Sequence, residues 1–153
     1  MGVSQISVFI ESRPGHMSRV LESFNEACVS VRGYSASDTG DYGIVRFIVD
    51  DPDKALSVLE QMGAAAAKTE VLCLRLADKP GELARIMGIM ARNNINVVYS
   101  YSLISTYIAI SVKDLKAAED ILRGEPVEMI EQSDLVGYFD SVEAQGNASG
   151  EGR

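Results

Sequence analysis

The chain contains an internal repeat, and this feature constrains its fold more than any single motif. The segments Arg13–Phe24 and Lys79–Met90 both begin with a charged residue and Pro-Gly, and apolar residues at helical spacing follow. At an offset of 66 residues the two Pro-Gly dipeptides coincide, and so do the apolar positions that precede and follow them. Repetition at a fixed period indicates that one structural unit is used twice.

The second half of each copy matches at a shorter offset. An offset of 63 residues places one alternating apolar run over another, namely Val45, Phe47 and Val49 over Ile108, Ile110 and Val112. The first copy therefore carries three extra residues, and they fall within Ser37–Gly43. Asp and Gly in that segment favour a turn. Asp38 and Asp41 are accordingly interpreted as turn residues rather than as ligands.

Hydrophobic periodicity predicts the elements of each copy. Apolar residues alternate over Ile6–Ile10, which is typical of a half-buried strand, and recur at i, i+3, i+4 and i+7 over Met17–Phe24, which is typical of an amphipathic helix. The pattern then predicts strands over Val29–Ser37 and Tyr42–Val49, joined as a hairpin. Asp51-Pro52 marks the start of a second helix, and a short strand follows. The order in each copy is βαββαβ.

This order predicts an α+β fold of two ferredoxin-like βαββαβ units, each with both helices on one face of an antiparallel sheet. We expect residues 3–70 and 71–138 to form the two units, with their sheets packed side by side, and residues 139–153 to form a disordered tail. A unit of about 65 residues is only marginally stable alone, the other face of its sheet is uncovered, and no Gly/Ser linker separates the copies. We therefore expect the copies to pack rigidly together and the protein to form a homodimer.

Composition excludes several classes of function. The formal net charge of −8 disfavours nucleic acid and anionic membranes as partners. No apolar run is long enough to span a bilayer, and the N-terminus does not read as a signal peptide, so we expect a cytoplasmic protein. Cys28 and Cys73 lie among apolar residues and are expected to be reduced core thiols.

Motifs of known enzyme classes are missing from the sequence. It contains no H-E-x-x-H, no G-x-S-x-G and no P-loop. His16 is the single histidine, and it cannot form a metal-ligand set with two distant cysteines. The acidic residues of Asp50–Asp53 crowd a predicted helix start, where capping is their simplest role. We expect no catalytic residue, no metal and no cofactor.

The two Pro-Gly turns are the strongest candidates for a binding site. Each follows a predicted strand and precedes a predicted helix, as Ser12–Gly15 and as Asp78–Gly81. Proline suits the first turn of a helix, and glycine allows close approach to the backbone. Free amides and the helix dipole at such a position favour a carboxylate or a phosphate. A plain strand-to-helix connection remains the alternative interpretation.

The second copy resembles the ACT domain, through Asp78-Lys79-Pro80-Gly81-Glu82-Leu83 before the helix and Asn94-Ile95-Asn96 after it, and the resemblance covers about Val3 to Val136. The layout of the whole chain is similar to that of free-standing tandem ACT proteins. The resemblance implies an amino acid as ligand, bound near the turn and the second strand. Carried over residue by residue, it implies these positions: Arg13, Gly15, His16, Met17, Ser35 and Ser37 in the first copy, and Asp78, Gly81, Glu82, Leu83, Asn96, Ser100 and Tyr101 in the second.

The sequence therefore favours a non-catalytic regulatory protein that binds an amino acid. Helix-start amides would take the carboxylate, and an acidic side chain such as Asp78 would take the ammonium group. The alternative is a regulatory subunit that docks on an amino-acid biosynthetic enzyme without a ligand of its own. Neither the identity of the amino acid nor the copy that binds it follows from the sequence, although Gly81 has the better-matched neighbours.

Overall fold

The structure, a computed structural model, describes residues 2–38, 40–104 and 106–136. The predicted order of elements is present in the first copy and, up to its second helix, in the second. The first copy contains β1 (Val3–Glu11), α1 (His16–Glu26), β2 (Val31–Asp38), β3 (Tyr42–Val49) and α2 (Pro52–Gln61). The connecting strand is β4 (Ala66–Arg75). The second copy continues with α3 (Glu82–Arg92), β5 (Val97–Ser102), β6 (Tyr107–Val112), α4 (Leu115–Arg123) and a short helix α5 over 132–136.

The strands are ordered β2-β3-β1-β4-β6-β5, and each neighbouring pair is antiparallel. β4 belongs to both copies. Its first half pairs with β1, from Ala66 opposite Val8 to Val71 opposite Val3, and its second half pairs with β6. Because no loop separates the copies, the last strand of the first runs directly into the first strand of the second. The predicted α+β fold of two ferredoxin-like units is confirmed, and the expected boundary falls inside β4.

The last strand expected in the second copy is reduced to one bridge. Leu74 pairs with Met129 as an isolated antiparallel bridge. The backbone N–H of Arg75 donates to the Glu128 carbonyl at 2.9 Å, and that of Ile130 donates to the Cys73 carbonyl at 2.8 Å. β1 already pairs with this edge of β4 as far as Val71. Only the last residues of β4 therefore remain available for pairing on this side.

Helices cover one face of each half of the sheet. In the first copy α1 and α2 pack on β1 and β3, where the rings of Phe24 and Phe47 meet edge to face with centroids 5.2 Å apart. In the second copy α3 and α4 cover the equivalent strands, with Leu74, Ile86 and Leu122 fully buried. These two apolar clusters correspond to the periodic residues that predicted the helices.

Contact between the copies covers part of the opposite face of the sheet. A third apolar cluster lies there and draws on both of them: Val3, Ile48, Val71, Cys73, Leu103, Ala109, Ile130 and Leu135. The two outer strands, β2 and β5, also touch each other, because the sheet curls over this cluster. Leu103 packs against the backbone of Gly33 where a Cβ would not fit, and the Ile104 amide donates to the Arg32 carbonyl at 2.7 Å.

A buried amide joins the copies at the centre of this face. Gln5 of β1 is fully buried. Its Nε2 donates to the Tyr99 hydroxyl at 2.7 Å and to Thr69 Oγ1 at 3.2 Å, and its Oε1 accepts from the Tyr101 hydroxyl at 2.7 Å. Burial raises the pKa of Tyr101, which keeps this hydroxyl protonated as a donor. A buried polar group satisfied on both its oxygen and its nitrogen fixes one arrangement of its partners.

The C-terminal segment of the second copy reaches back to the first. Gln132 Oε1 accepts from the Ser4 amide at 3.2 Å, and Gln132 Nε2 donates to the Val49 carbonyl at 2.9 Å. Leu135 of α5 is buried in the shared cluster. This segment therefore connects the end of the described chain to the first and third strands.

The two cysteines occupy different environments. Cys73 is buried as expected, and desolvation raises the pKa of its thiol to about 12. The expectation of a core thiol is wrong for Cys28, which is exposed. Cys28 follows α1 with a φ of 58°, and Asn94 holds the same position after α3 with a φ of 55°. A left-handed residue that turns the chain away from a helix end has its side chain directed outward, and the apolar neighbours in sequence do not change that.

Among the described residues, no helix is long and apolar enough to cross a membrane.

The matched left-handed positions lead to a prediction about stability. Cys28→Asn should raise the free energy of unfolding by about 1 kcal/mol, because asparagine tolerates the left-handed region that costs other L-residues this much. The reverse substitution at the equivalent position, Asn94→Cys, should lower it by a similar amount. Urea unfolding followed by circular dichroism measures both, and equal stability of Cys28→Asn and parent would contradict the account.

The Gln5 cluster leads to a second prediction. Gln5→Leu should lower the free energy of unfolding by about 2 kcal/mol, because it leaves buried tyrosine hydroxyls without a partner. Gln61→Leu, an exposed position of α2, is the matched control and should change it by less than about 0.5 kcal/mol. Adding Tyr101→Phe to Gln5→Leu should cost less than the sum of the single changes, and strict additivity in the double-mutant cycle would refute the coupling.

Candidate functional site

Both Pro-Gly turns have the same backbone geometry. Gly15 and Gly81 precede α1 and α3 with φ values of 82° and 87°, in the left-handed region that favours glycine. A Cβ built on either glycine meets no atom within 4 Å, so the turn is open on that side. No side chain caps either helix start. The amides of His16 and Glu82, the first of each helix, donate to the carbonyls of Arg13 and Lys79 at 3.4 Å and 3.5 Å. The amides that follow them in the first turn lie at the helix end where the dipole favours an anion.

The turn of the first copy borders a cavity of about 360 Å³. The end of β1, the turn, the first turn of α1 and the β2–β3 hairpin form its walls. The lining residues are Ile10, Glu11, Ser12, Arg13, Pro14, Met17, Ala36, Ser37, Asp38, Gly43 and Val45. The floor is apolar, since Ile10 and Val45 belong to the core beneath the helices. This volume lies at the small end of the range for ligand cavities.

Charged groups of both signs lie on the rim of this cavity. Asp38 Oδ2 accepts from the Ser12 hydroxyl at 2.6 Å, and its Oδ1 accepts from the Gly40 amide at 2.8 Å. The hydrogen bond from Ser12, followed by that from Gly40, holds the pKa of Asp38 below its usual value. Arg13 lies across the rim, with Nε 3.4 Å from the carboxylate of Glu11, and both side chains are more than half exposed. The rim therefore offers a cation and a fixed anion to one small molecule.

The turn of the second copy borders a cavity of about 410 Å³, whose lining residues are Leu76, Ala77, Asp78, Lys79, Gly81, Glu82, Leu83, Ala84 and Thr106. Glu82 is buried there and accepts from Arg85 Nε at 2.9 Å and Nη2 at 3.1 Å. The hydrogen bond from Arg85 is the main reason why the pKa of Glu82 is lowered. Lys79 Nζ lies 3.9 Å from the same carboxylate. Much of the charge of this cavity is therefore neutralised within the chain.

The copies differ at two places that shape these cavities. At the offset of 66 residues, His16 replaces Glu82 and Arg19 replaces Arg85, so the bidentate ion pair is missing from the first copy. His16 Nδ1 is buried and has no hydrogen-bond partner in the described part of the chain. The hairpin of the first copy is longer and forms a wall of its cavity. Of the described residues in the second hairpin, Thr106 lines the second cavity.

The structure brings most of the predicted residues together, in two groups. Arg13, Met17 and Ser37 line the first cavity, and the second is lined by Asp78, Gly81, Glu82 and Leu83. Gly15 and His16 lie in the same turn as the first group without lining its cavity.

Four predicted residues lie elsewhere. Ser35 lies opposite Arg46 on the face of the sheet away from the helices. Ser100 is exposed on β5, and Tyr101 is engaged by Gln5 in the shared interior. Asn96 borders a different cavity, together with Asp114. Asn96 precedes β5 and Asp78 follows β4, and these two strands run parallel. Asn96 therefore lies at the opposite end of α3 from the Pro-Gly turn.

Sequence reasoning missed the residues that complete the first cavity. Glu11, Ser12 and Asp38 form its polar rim, and Ala36, Gly43 and Val45 close one side. The three extra residues in the hairpin were the available signal, since a longer hairpin extends past the turn. Asp38 does hold the turn through Gly40, as interpreted, and it also faces the cavity. Among the described residues, no group of three His, Cys, Asp or Glu side chains could hold a metal ion.

Comparison with known structures supports the fold. A protein from Bacteroides thetaiotaomicron superposes with a TM-score of 0.83 at 27% identity, over 88% of this chain and 96% of that one. The ligand-free regulatory subunit of aspartate kinase from Thermus thermophilus gives 0.61 at 20% identity, over 80% and 89%. The corresponding subunit from Thermus flavus gives 0.58 at 20% identity, over 80% and 90%.

A comparison with curated protein sequences gave no match. The family model that describes an ACT domain pair matches residues 1–137, which include both βαββ repeats, both Pro-Gly turns and the strand that joins them. The chain therefore belongs to the family of ACT domain pairs, a regulatory family.

Proposed function

We propose that this protein is a non-catalytic regulator that binds a free amino acid in the cavity of the first copy, in the cytoplasm. One observation carries the proposal: Arg13 and the carboxylate of Asp38, which Ser12 holds, both line a small cavity with an apolar floor beside the start of α1. A zwitterion with a small or apolar side chain has the matching distribution of charge. Membership of a regulatory family supports the regulatory role.

Each part of the cavity corresponds to one part of an amino acid. Arg13 and the first amides of α1 suit the carboxylate, since guanidinium and helix-start N–H groups both donate to anions. Asp38 suits the ammonium group, because its lowered pKa keeps it ionised. Ile10, Met17 and Val45 offer apolar contact to the side chain.

The first copy is the better candidate on electrostatic grounds. In the second, Arg85 is already bidentate with Glu82, and a ligand carboxylate would have to compete with that ion pair. Arg13 makes a single, longer contact with the exposed Glu11. Exposed ion pairs of this kind contribute little to stability. Replacing the Glu11 carboxylate by that of a ligand therefore costs little free energy.

A second candidate function is docking on an amino-acid biosynthetic enzyme without a ligand. The regulatory subunits of aspartate kinase share the fold with this chain. Leu83 supports this alternative, because it is half exposed in the turn of the second copy and offers an apolar contact to a partner. A ligand-induced stabilisation of the isolated protein distinguishes the two functions.

The ligand hypothesis predicts stabilisation by at least one of the twenty amino acids in a thermal-shift screen. A ligand at 100 times its Kd should add about 2.7 kcal/mol to the free energy of unfolding. Arg13→Met should weaken binding about tenfold in calorimetry, because it removes a charge-assisted hydrogen bond. Lys79→Met, the matched position of the second copy, should leave the affinity unchanged.

Two results would contradict this assignment. If no amino acid at millimolar concentration shifts the melting temperature, the docking function replaces it. If Lys79→Met removes binding and Arg13→Met does not, the second cavity is the site.

We also propose that the protein is a homodimer. β2 is the outer strand of the sheet, and past its contact with β5 it carries the exposed Tyr34 and the cavity residues Ser37 and Asp38. An unpaired strand edge favours association with another strand. Light scattering during size exclusion should give twice the monomer mass of 16.5 kDa at micromolar concentration, and a monodisperse monomer would refute the dimer.

A further inference from the structure

We propose that the first copy has a second binding site, on the sheet face away from its helices, where Ser7, Arg46 and Ser35 bind the carboxylate of a small molecule with an apolar body. These residues lie on β1, β3 and β2 and do not line the cavity described above. The proposal does not depend on amino-acid binding in that cavity.

Strand register places the three side chains in one row. Arg46 lies directly opposite Ser7 on one side and directly opposite Ser35 on the other. Directly opposed residues of antiparallel strands project from the same face, with Cβ atoms about 5 Å apart. All three side chains are partly buried. Arg46 therefore projects from the sheet between Ser7 and Ser35, on the same face as both.

The guanidinium of Arg46 contacts an aromatic ring and has no carboxylate partner among the described residues. It stacks over the ring of Tyr99, with Cζ 4.0 Å from the ring centroid. Within the described part of the chain it makes no ion pair. In a chain with a net charge of −8, a partly buried arginine without a carboxylate partner is a position prepared for an external anion.

The two hydroxyls are available as donors. Ser7 Oγ accepts a long hydrogen bond of 3.5 Å from Gln5 Nε2, which leaves its own proton free to donate. Ser35 makes no side-chain hydrogen bond with another described residue. Two hydroxyl donors beside the fork of a guanidinium match the acceptor oxygens of a carboxylate.

In the second copy, the three residues that are equivalent to Ser7, Arg46 and Ser35 belong to the apolar interior. There Ala109 lies between Cys73 and Tyr101, with the same pairing across the three strands. Ala109 and Cys73 are buried in the shared apolar cluster, and Tyr101 packs against it. The fold therefore does not require polar residues in this row, and their presence in the first copy needs another reason.

The neighbouring pair on the same face defines the rest of the ligand. Phe9 and Ile44 lie directly opposite each other, two residues along from Ser7 and Arg46. Phe9 is 55% exposed, which is unusual for phenylalanine in a strand. An apolar group joined to the bound carboxylate would cover this pair. The geometry points to a branched or aromatic monocarboxylate.

Titration with isovalerate, followed by two-dimensional amide NMR of the full chain, tests the site. We expect the chemical shifts of Ser7, Phe9, Ile44 and Arg46 to change with one saturating curve. Isovaleramide, which has the same apolar body and no charge, should not produce these changes. Arg46→Met should weaken isovalerate binding at least about tenfold. Arg92→Met, which removes the same charge from the exposed end of α3, should leave binding unchanged.

Two further variants test the site if Arg46→Met disturbs the fold. Ser35→Ala should weaken binding roughly threefold, and Arg46→Lys should weaken it while the spectrum stays native. The site is refuted if isovalerate produces no shifts at 50 mM, if isovaleramide binds equally well, or if Arg46→Met binds like the parent. Equal binding of inorganic phosphate would refute the assignment to apolar carboxylates.

Discussion

The hydrogen bonding of one strand to both copies is the constraint on which the rest of the structure depends. β4 pairs with β1 through its first half and with β6 through its second, so the relative position of the two copies is set by a continuous backbone. The curl of the sheet then brings β2 and β5 together and encloses the Gln5 cluster. Each copy covers part of the sheet face that the other copy's own helices leave bare, which two small units joined by a flexible linker would not achieve.

Within this shared frame the copies have diverged in chemistry while keeping their backbone. The Pro-Gly turns have nearly the same φ, yet one adjoins a buried ion pair of Glu82 with Arg85 and the other adjoins an arginine on an open rim. Ala109 of the second copy is buried in the shared apolar cluster, whereas the equivalent position of the first copy is Arg46. The two copies thus share one backbone scaffold, and the second contributes more of its residues to the interior.

The repeat was sufficient to predict the elements, the fold class and the location of both turns, because hydrophobic period and turn residues act locally. It did not predict that Asp38 would reach the first cavity or that Tyr101 would be withdrawn into the interior. Both depend on how far a hairpin extends and on how the sheet curls, and those are properties of distant contacts. Cys28 shows the same limit on a smaller scale, since its exposure follows from a positive φ and not from its apolar neighbours.

The contacts of Gln132 have a consequence for synthesis of the chain. A ribosome releases β1 and β3 early, but the Ser4 amide donates to Gln132 and the Val49 carbonyl accepts from it, and Gln132 lies near the end of the described chain. Until Ile130 and Leu135 emerge, the apolar strip around Val3 and Ile48 has no complete cover. The first copy therefore exposes apolar surface while the second copy is being synthesised, and transiently exposed surface of this kind favours aggregation.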